Sequence, residues 1–129
     1  MPVTQVVFYQ EPTGDSPVAN WLIELRATQR KAYFKCRAAL GRLALLGHEL
    51  RRPESDYLCD GLHELRVRFG SVNYRFLYFF HGQNIAVVAH GLTKEAVIPV
   101  ADLARARVRK AAYSANPTTH SFTGEFDHA

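Results

Sequence analysis

The sequence predicts a single α+β domain, in which helices pack against a four-stranded, largely antiparallel sheet. The patterns run in the order strand, two helices, three strands and one helix. The three late strands are joined by short turns and so pair antiparallel, while the N-terminal strand makes the sheet mixed. At 129 residues and 47% hydrophobic, the chain supports one core. We expect the domain to span residues 1–113 and residues 114–129 to form a mobile tail.

The N-terminal third predicts a strand followed by a helical hairpin. Residues 3–9 are rich in β-forming side chains. Ser16 is a suitable N-cap and Pro17 suits the first helical position, so a helix begins there. Thr28 is the expected cap of a second helix over about residues 30–46. Apolar stripes mark the two buried faces: Val18, Trp21, Leu22 and Leu25, then Tyr33, Cys36, Leu40, Leu43 and Leu46.

The other side of the second helix is basic. Its residues are Arg30, Lys31, Lys35, Arg37 and Arg42. Such a face is either a solvated surface or has a functional role, and the sequence leaves both readings open. After Arg52 and Pro53 we expect a loop to about residue 58.

Strands are expected at about residues 62–69, 72–80 and 84–91. The first two form a hairpin if Gly70 and Ser71 are its turn. Alternation then points one set of side chains to a single side: Leu65, Val67, Phe69, Val72, Tyr74, Phe76 and Tyr78.

The opposite side of the hairpin carries arginines. This register places Arg66 opposite Arg75, with Arg68 on the same side and nearer the turn. Like charges at facing positions destabilise a hairpin by ~0.2–1 kcal/mol. A bound polyanion would remove that cost, and arginine binds phosphate bidentately. In the alternative, structural reading, Arg66 pairs with Glu64 or a C-terminal acid. If a polyanion is the partner, Arg75→Ala leaves the stability of the fold unchanged or improved.

The third strand adds His90, and Lys94 follows it. If Phe80 pairs with Ile85, His90 lies opposite Arg75. Arginines beside a histidine and a lysine suit cleavage of an RNA phosphodiester by its own 2′-hydroxyl.

Each of these residues has an expected role in that reaction. Arg66 and Arg75 stabilise charge on the phosphorus, and His90 transfers protons near neutral pH. Arg68 and Lys94 hold flanking phosphates or assist the leaving group. These roles require no metal.

The last helix is expected to begin at Pro99. Its inner side is predicted to carry Ala101, Ala104, Val108 and Ala112. Beyond Ser114 the composition becomes polar, which is the basis for the predicted tail.

The composition and the spacing of particular residues are evidence against several classes of function. Cys36 and Cys59 lack metal-ligand or redox spacing, and the six histidines form no pair at helical ligand spacing, so neither a metal nor a cofactor is expected. The net charge of +4 comes mostly from arginine, which favours phosphate or an acidic protein. No apolar run approaches the ~20 residues of a membrane span, and the first residues do not resemble a signal peptide, so we expect a cytoplasmic protein.

Three segments together resemble the phage-derived, HigB-like branch of the RelE/ParE toxin superfamily. They are Asp60-Gly-Leu-His-Glu-Leu-Arg66, Tyr74-Arg-Phe-Leu-Tyr-Phe79 and His90-Gly-Leu-Thr-Lys94. In element order the resemblance covers about residues 3–113. It implies a RelE-like fold and carries over Arg66, Arg68, Arg75 and Lys94 as functional residues.

The resemblance also implies a function. Members are toxins of type II toxin–antitoxin systems, and the antitoxin typically has a helix-turn-helix fold. Many cleave mRNA on the ribosome without a metal; others in the superfamily inhibit DNA gyrase. A third alternative is a decayed, RNA-binding member. Such toxins commonly carry two adjacent lysines where this chain has Lys94 and Glu95, and this acid lowers the local positive potential.

Overall fold

A computed structural model describes residues 3–93 and 97–122 and confirms the α+β class. One mixed sheet has five strands in the order β1-β5-β4-β3-β2, with β1 parallel to β5 and all other pairs antiparallel. The strands are β1 (Gln5–Phe8), β2 (Ser55–Cys59), β3 (Leu62–Phe69), β4 (Val72–His81) and β5 (Ile85–Thr93). The helices are α1 (Pro17–Thr28), α2 (Arg30–Leu46), α3 (Val100–Ala115) and α4 (Pro117–His120). Within these ranges no helix has both the length and the apolar character that crossing a membrane requires.

The strand β2 was missed by the sequence prediction, which placed a loop there. It pairs antiparallel with β3, with Ser55 opposite Leu65 and Tyr57 opposite His63. The Ser55 hydroxyl hydrogen-bonds the hydroxyl of Tyr78, which ties the edge strand to β4. Short strands of this kind occur at sheet edges, where one side faces solvent. The sheet therefore has five strands rather than four.

The start of α1 is as predicted. The Ser16 hydroxyl accepts a hydrogen bond from the Ala19 N–H at 3.3 Å and donates to the Tyr9 carbonyl at 2.8 Å. Pro17 occupies the first helical position. Ser16 thus caps the helix and joins it to the end of β1.

The predicted cap of α2 is wrong. Thr28 is the last residue of α1, and its hydroxyl donates to the Glu24 carbonyl one turn back. Gln29 separates the two helices and makes no side-chain capping bond. Threonine commonly bonds the carbonyl four residues before it, and here that local bond replaces capping.

Helices cover both faces of the sheet. The helices α1 and α2 pack on one face, in a core that includes Leu22, Tyr33, Leu43, Leu65, Phe76 and Tyr78. The helix α3 packs on the other face, in a core that includes Leu62, Leu77, Phe79, Val87, Ala106 and Tyr113. Side chains alternate along β3, so its arginines point to the α3 side of the sheet.

The predicted inner side of α3 is largely wrong. Ala101, Ala104 and Val108 are exposed, whereas Ala106 and Tyr113 are buried. Alanine and valine occur on both sides of this helix, so apolar spacing alone does not identify the buried side. Of the four predicted residues, Ala112 does pack against the core.

The described part of the predicted tail packs against the domain. After α3 ends at Ala115, α4 brings His120 over Tyr9, with the two rings stacked 5.0 Å apart. Ser121 pairs with Tyr9 as a single β-bridge, and Phe122 packs on the α1–α2 core. Residues 123–129 lie outside the described ranges.

Candidate anion-binding cleft

The β3–β4 hairpin has the predicted register. Gly70 adopts a positive φ of 62° in the turn, Phe69 pairs with Val72, and Arg66 lies directly opposite Arg75. Facing residues of an antiparallel pair point to the same side of the sheet, so both guanidinium groups lie on the α3 side. The two arginines therefore meet as the sequence predicted.

A buried carboxylate lies between them. Arg75 Nη1 is 2.9 Å from Glu64 Oε1, and Arg66 Nε is 3.2 Å from Glu64 Oε2. The side chain of Glu64 is only 2% exposed. The prediction that an external polyanion neutralises the facing arginines is wrong, because an internal carboxylate contacts both. The alternative pairing of Arg66 with Glu64 is confirmed.

The charged network continues to the sheet edge. Arg66 Nη2 is 3.2 Å from Asp56 Oδ2, and Arg52 Nε is 3.0 Å from Asp56 Oδ1. Arg52, with a smaller effect from Arg66, holds the pKa of Asp56 below its ordinary value. Three guanidinium groups alternate with two carboxylates, so this chain of contacts keeps one net positive charge.

Part of this network lines a cleft of about 340 Å³ between β2 and the start of α3. Glu64, Arg66 and Arg75 provide its charged wall. Its other lining residues are Tyr57, Leu58, Cys59, Val97, Ile98 and Leu103. Clefts of this size admit small-molecule or nucleotide-sized ligands. Because the Arg66 side chain is 41% exposed, its guanidinium is available to an anion entering from solvent.

Arg68 lies outside this cleft. It faces Asn73 near the turn, and its Nε donates to the Gly70 carbonyl at 3.2 Å. The residue is exposed and lies on the same side of the sheet as Arg66. Its predicted role as a phosphate ligand stays a prediction.

The predicted position of His90 opposite Arg75 is wrong. His90 pairs with Leu77, and Leu92 takes the place opposite Arg75. Two features shift the register: His81 rather than Phe80 pairs with Ile85, and a β-bulge follows Leu77. The first change alone would turn His90 to the other side of the sheet. The bulge returns it to the arginine side, two residues from its expected place.

Both ring nitrogens of His90 are engaged by α3. Arg109 Nη1 lies 3.2 Å from Nδ1, and Nε2 lies 2.6 Å from Asp102 Oδ1. Since arginine only donates, Nδ1 accepts and Nε2–H donates to the carboxylate. Burial lowers the pKa of His90, although Asp102 opposes the shift. The imidazole is therefore held against α3, and it does not line the cleft.

Lys94 and its neighbour Glu95 lie outside the described residues. The predicted contribution of Lys94 stays a prediction.

Two contacts of the charged network were not predicted from the sequence: Glu64 with Arg75, and Asp56 with Arg66. The sequence offered Glu64 as a structural partner of Arg66 alone. A usable signal existed, since Glu64 is two residues before Arg66 and therefore faces the same side. Asp56 lay in the predicted loop and could not be placed beside β3.

The sequence profile of the family described as "Phage derived protein Gp49-like (DUF891)" matches residues 21–111. No curated protein matches the chain. The matched range includes β2, β3, β4 and β5, and thus every residue of the charged network.

Proposed function

The chain belongs to the phage-derived Gp49-like family, and we propose that it is the toxin of a type II toxin–antitoxin pair that cleaves mRNA as an endoribonuclease. The family lies within the RelE/ParE-like toxin superfamily, in agreement with the resemblance seen in the sequence. Assignment to the HigB-like branch is part of the proposal. The observation that supports catalysis best is the pair of facing guanidinium groups, Arg66 and Arg75, on the wall of one cleft.

The proposed reaction is attack of an RNA 2′-hydroxyl on the adjacent phosphorus. The bond to the 5′-oxygen breaks, giving a 2′,3′-cyclic phosphate and a 5′-hydroxyl. Arg66 and Arg75 would bind the non-bridging oxygens, on which negative charge increases in the transition state. We assign Glu64 a positioning role, because its carboxylate contacts both arginines and holds their guanidinium groups on the same wall of the cleft.

Two protons must also move. The 2′-hydroxyl loses one and the 5′-oxygen gains one, and arginine remains protonated throughout. His90 and Lys94 keep their predicted roles in proton transfer and leaving-group assistance, and Arg68 its role at a flanking phosphate. For His90 this role requires the imidazole to leave its contact with Asp102 or Arg109 and to reach the cleft, which it does not line.

The proposal carries partners with it. We propose a cognate antitoxin with a helix-turn-helix fold, and the ribosome with its mRNA as the site of cleavage in the cytoplasm. The reaction as written requires no cofactor.

A second candidate is a non-catalytic inhibitor that binds a protein target such as DNA gyrase. The observation in its favour is that internal carboxylates contact both Arg66 and Arg75 while His90 is fully engaged. An RNA-binding member that has lost cleavage would have the same arrangement.

Mapping the 5′ ends of mRNA after induced expression tests the proposal. A matched pair of variants is Arg66→Gln and Arg107→Gln, because their side chains are 41% and 44% exposed and each contacts an aspartate. We expect new 5′ ends with the wild type and with Arg107→Gln. In Arg66→Gln we expect them to fall by roughly 100-fold, the effect of removing one transition-state donor.

Other outcomes would contradict the proposal. Intact transcripts together with DNA breaks would favour gyrase inhibition. Unchanged cleavage in Arg66→Gln at equal protein level would remove that residue from the site. Thermal unfolding of both variants shows whether any loss comes from misfolding.

A further inference from the structure

We propose that the outer face of α2 is a docking surface for an acidic amphipathic helix of a protein partner. This surface lies on the opposite side of the sheet from the cleft, so the inference does not depend on the proposed chemistry. It is carried by an exposed apolar row, by the basic residues on both of its flanks and by a depression at one end.

The apolar row consists of Phe34, Ala38, Gly41 and Leu45, all exposed. Their spacings of four, three and four residues follow the seam along which two helices pack. Leu45 is 67% exposed. A Cβ built at Gly41 would meet no atom within 4 Å, so no described part of the chain requires a glycine there. A glycine in mid-helix does allow a second backbone to approach closely.

Basic residues flank this row on both sides. Helical geometry places Arg30 and Arg37 along one flank and Lys31, Lys35 and Arg42 along the other. The helix contains no acidic residue. Arg42 pairs with Glu54, and Arg30 lies over the ring of Phe34 at 5.6 Å from its centroid. Lys31 and Lys35 are therefore the flanking charges that matter for an acidic partner.

This charge pattern is unfavourable for an isolated helix. Cations at a helix N-terminus oppose the macrodipole, and Lys31 and Lys35 are like charges one turn apart. An acidic partner would relieve both effects, which is the charge complementarity that identifies the occupant.

At its C-terminal end the row reaches an open depression of about 430 Å³. Leu45 and Leu46 provide its apolar wall, and the remaining lining residues are Thr4, His48, Glu49, Gln83 and Asn84. A large apolar side chain from a docked helix would fit there and anchor it. The central apolar row favours a helix over a nucleic acid, whose phosphates gain nothing from it. A second copy of this chain would bring two basic flanks together.

The test uses the full chain and a synthetic helical peptide of three heptads, with alanine and leucine along its seam and glutamate on both flanks. Fluorescence anisotropy measures its binding. We expect binding that weakens with added salt, and a loss of about ten-fold or more in Leu45→Glu and in Lys35→Glu. The control is Val108→Glu on α3, since Val108 is 69% exposed and Leu45 67%. We expect this control to bind like the wild type.

Several results would overturn the inference. If a peptide with glutamine on both flanks binds as tightly as the glutamate peptide, charge complementarity does not determine binding. An equal loss in Val108→Glu would show that the peptide does not select α2. Binding of a poly(U) oligonucleotide that is lost in Lys35→Glu, with no peptide binding, would assign the surface to nucleic acid. Self-association abolished by Leu45→Glu in sedimentation would assign it to a second copy. Unfolding curves of each variant confirm that the fold is retained.

Discussion

Arg75 Nη1 lies 2.9 Å from Oε1 of Glu64, a carboxylate that is almost completely buried. This contact changes what is expected of the arginine. In the sequence argument Arg75 was an uncompensated cation, and removing it was expected to leave stability unchanged or improved. In the structure it is one of two counter-ions of a carboxylate that has little access to water.

The first prediction concerns this ion pair. We expect Arg75→Ala to destabilise the protein by about 3 kcal/mol, because removing one partner of a buried pair leaves the other charge poorly compensated. Urea unfolding, followed by the fluorescence of the single tryptophan, measures the change. The control is the double variant Glu64→Leu with Arg75→Leu, which removes both charges and should recover most of the loss. A stable Arg75→Ala would show that Arg66 alone compensates Glu64.

The second prediction concerns pH. Burial lowers the pKa of His90 in the folded state, so the unfolded chain binds a proton more readily. Stability from this group is fully present above the ordinary pKa of 6.5 and is lost as the pH falls through the lower folded-state pKa. We expect the free energy of unfolding to decrease from neutral pH toward pH ~5.5.

In the variant His90→Gln this decrease should be smaller. Urea unfolding at several pH values gives both slopes. His63, whose pKa is also lowered mainly by burial, should account for part of the remaining slope. Identical slopes in His90→Gln and the wild type would contradict the assignment.

The third prediction uses the two thiols. Burial raises the pKa of Cys36 to about 12, whereas Cys59 is partly exposed on the wall of the cleft. A maleimide at neutral pH should therefore modify Cys59 and leave Cys36 intact, because the thiolate is the reactive form. Mass spectrometry of peptides identifies the site. Both residues should react in denaturant, and modification of Cys36 in the native protein would contradict its burial.

The fourth prediction compares two glycines. Gly41→Ala should stabilise the free protein by about 0.5–1 kcal/mol, because alanine is the better helix former and its methyl group meets open space. Gly91→Ala should destabilise it by about 1–3 kcal/mol through overpacking. There a Cβ would lie 2.3 Å from Cε3 and Cζ3 of Trp21. Thermal unfolding of both variants measures the two opposite shifts.

The features that were predicted correctly depend on residues that are neighbours in the sequence. Turn residues at Gly70 and Ser71 set the register of β3 and β4, and hence the facing of Arg66 and Arg75. Ser16 and Pro17 likewise marked the start of α1.

The predictions that were wrong concern features that depend on tertiary contacts. The β-bulge beside Leu77 adds one residue that the sequence pattern does not indicate. His90 was therefore predicted opposite Arg75, two positions from its actual partner, Leu77. The buried side of α3 depends on Tyr113 and Ala106 meeting the sheet, whereas its alanines occur all round the helix. The burial of Glu64 requires β2, a strand that the sequence did not predict.

The sheet separates two surfaces that differ in character. The cleft beside Glu64 opens on the α3 side, and the row ending at Leu45 lies on the far side of the core. A protein held along α2 would therefore leave the cleft physically accessible. If the protein bound there were an inhibitor, it would act sterically, because it would prevent the domain from entering a confined space such as a groove in a large ribonucleoprotein. A short, free oligonucleotide would still reach the arginines of the cleft when this protein is bound. Access by such an oligonucleotide therefore distinguishes steric exclusion of the domain from direct blockage of the cleft.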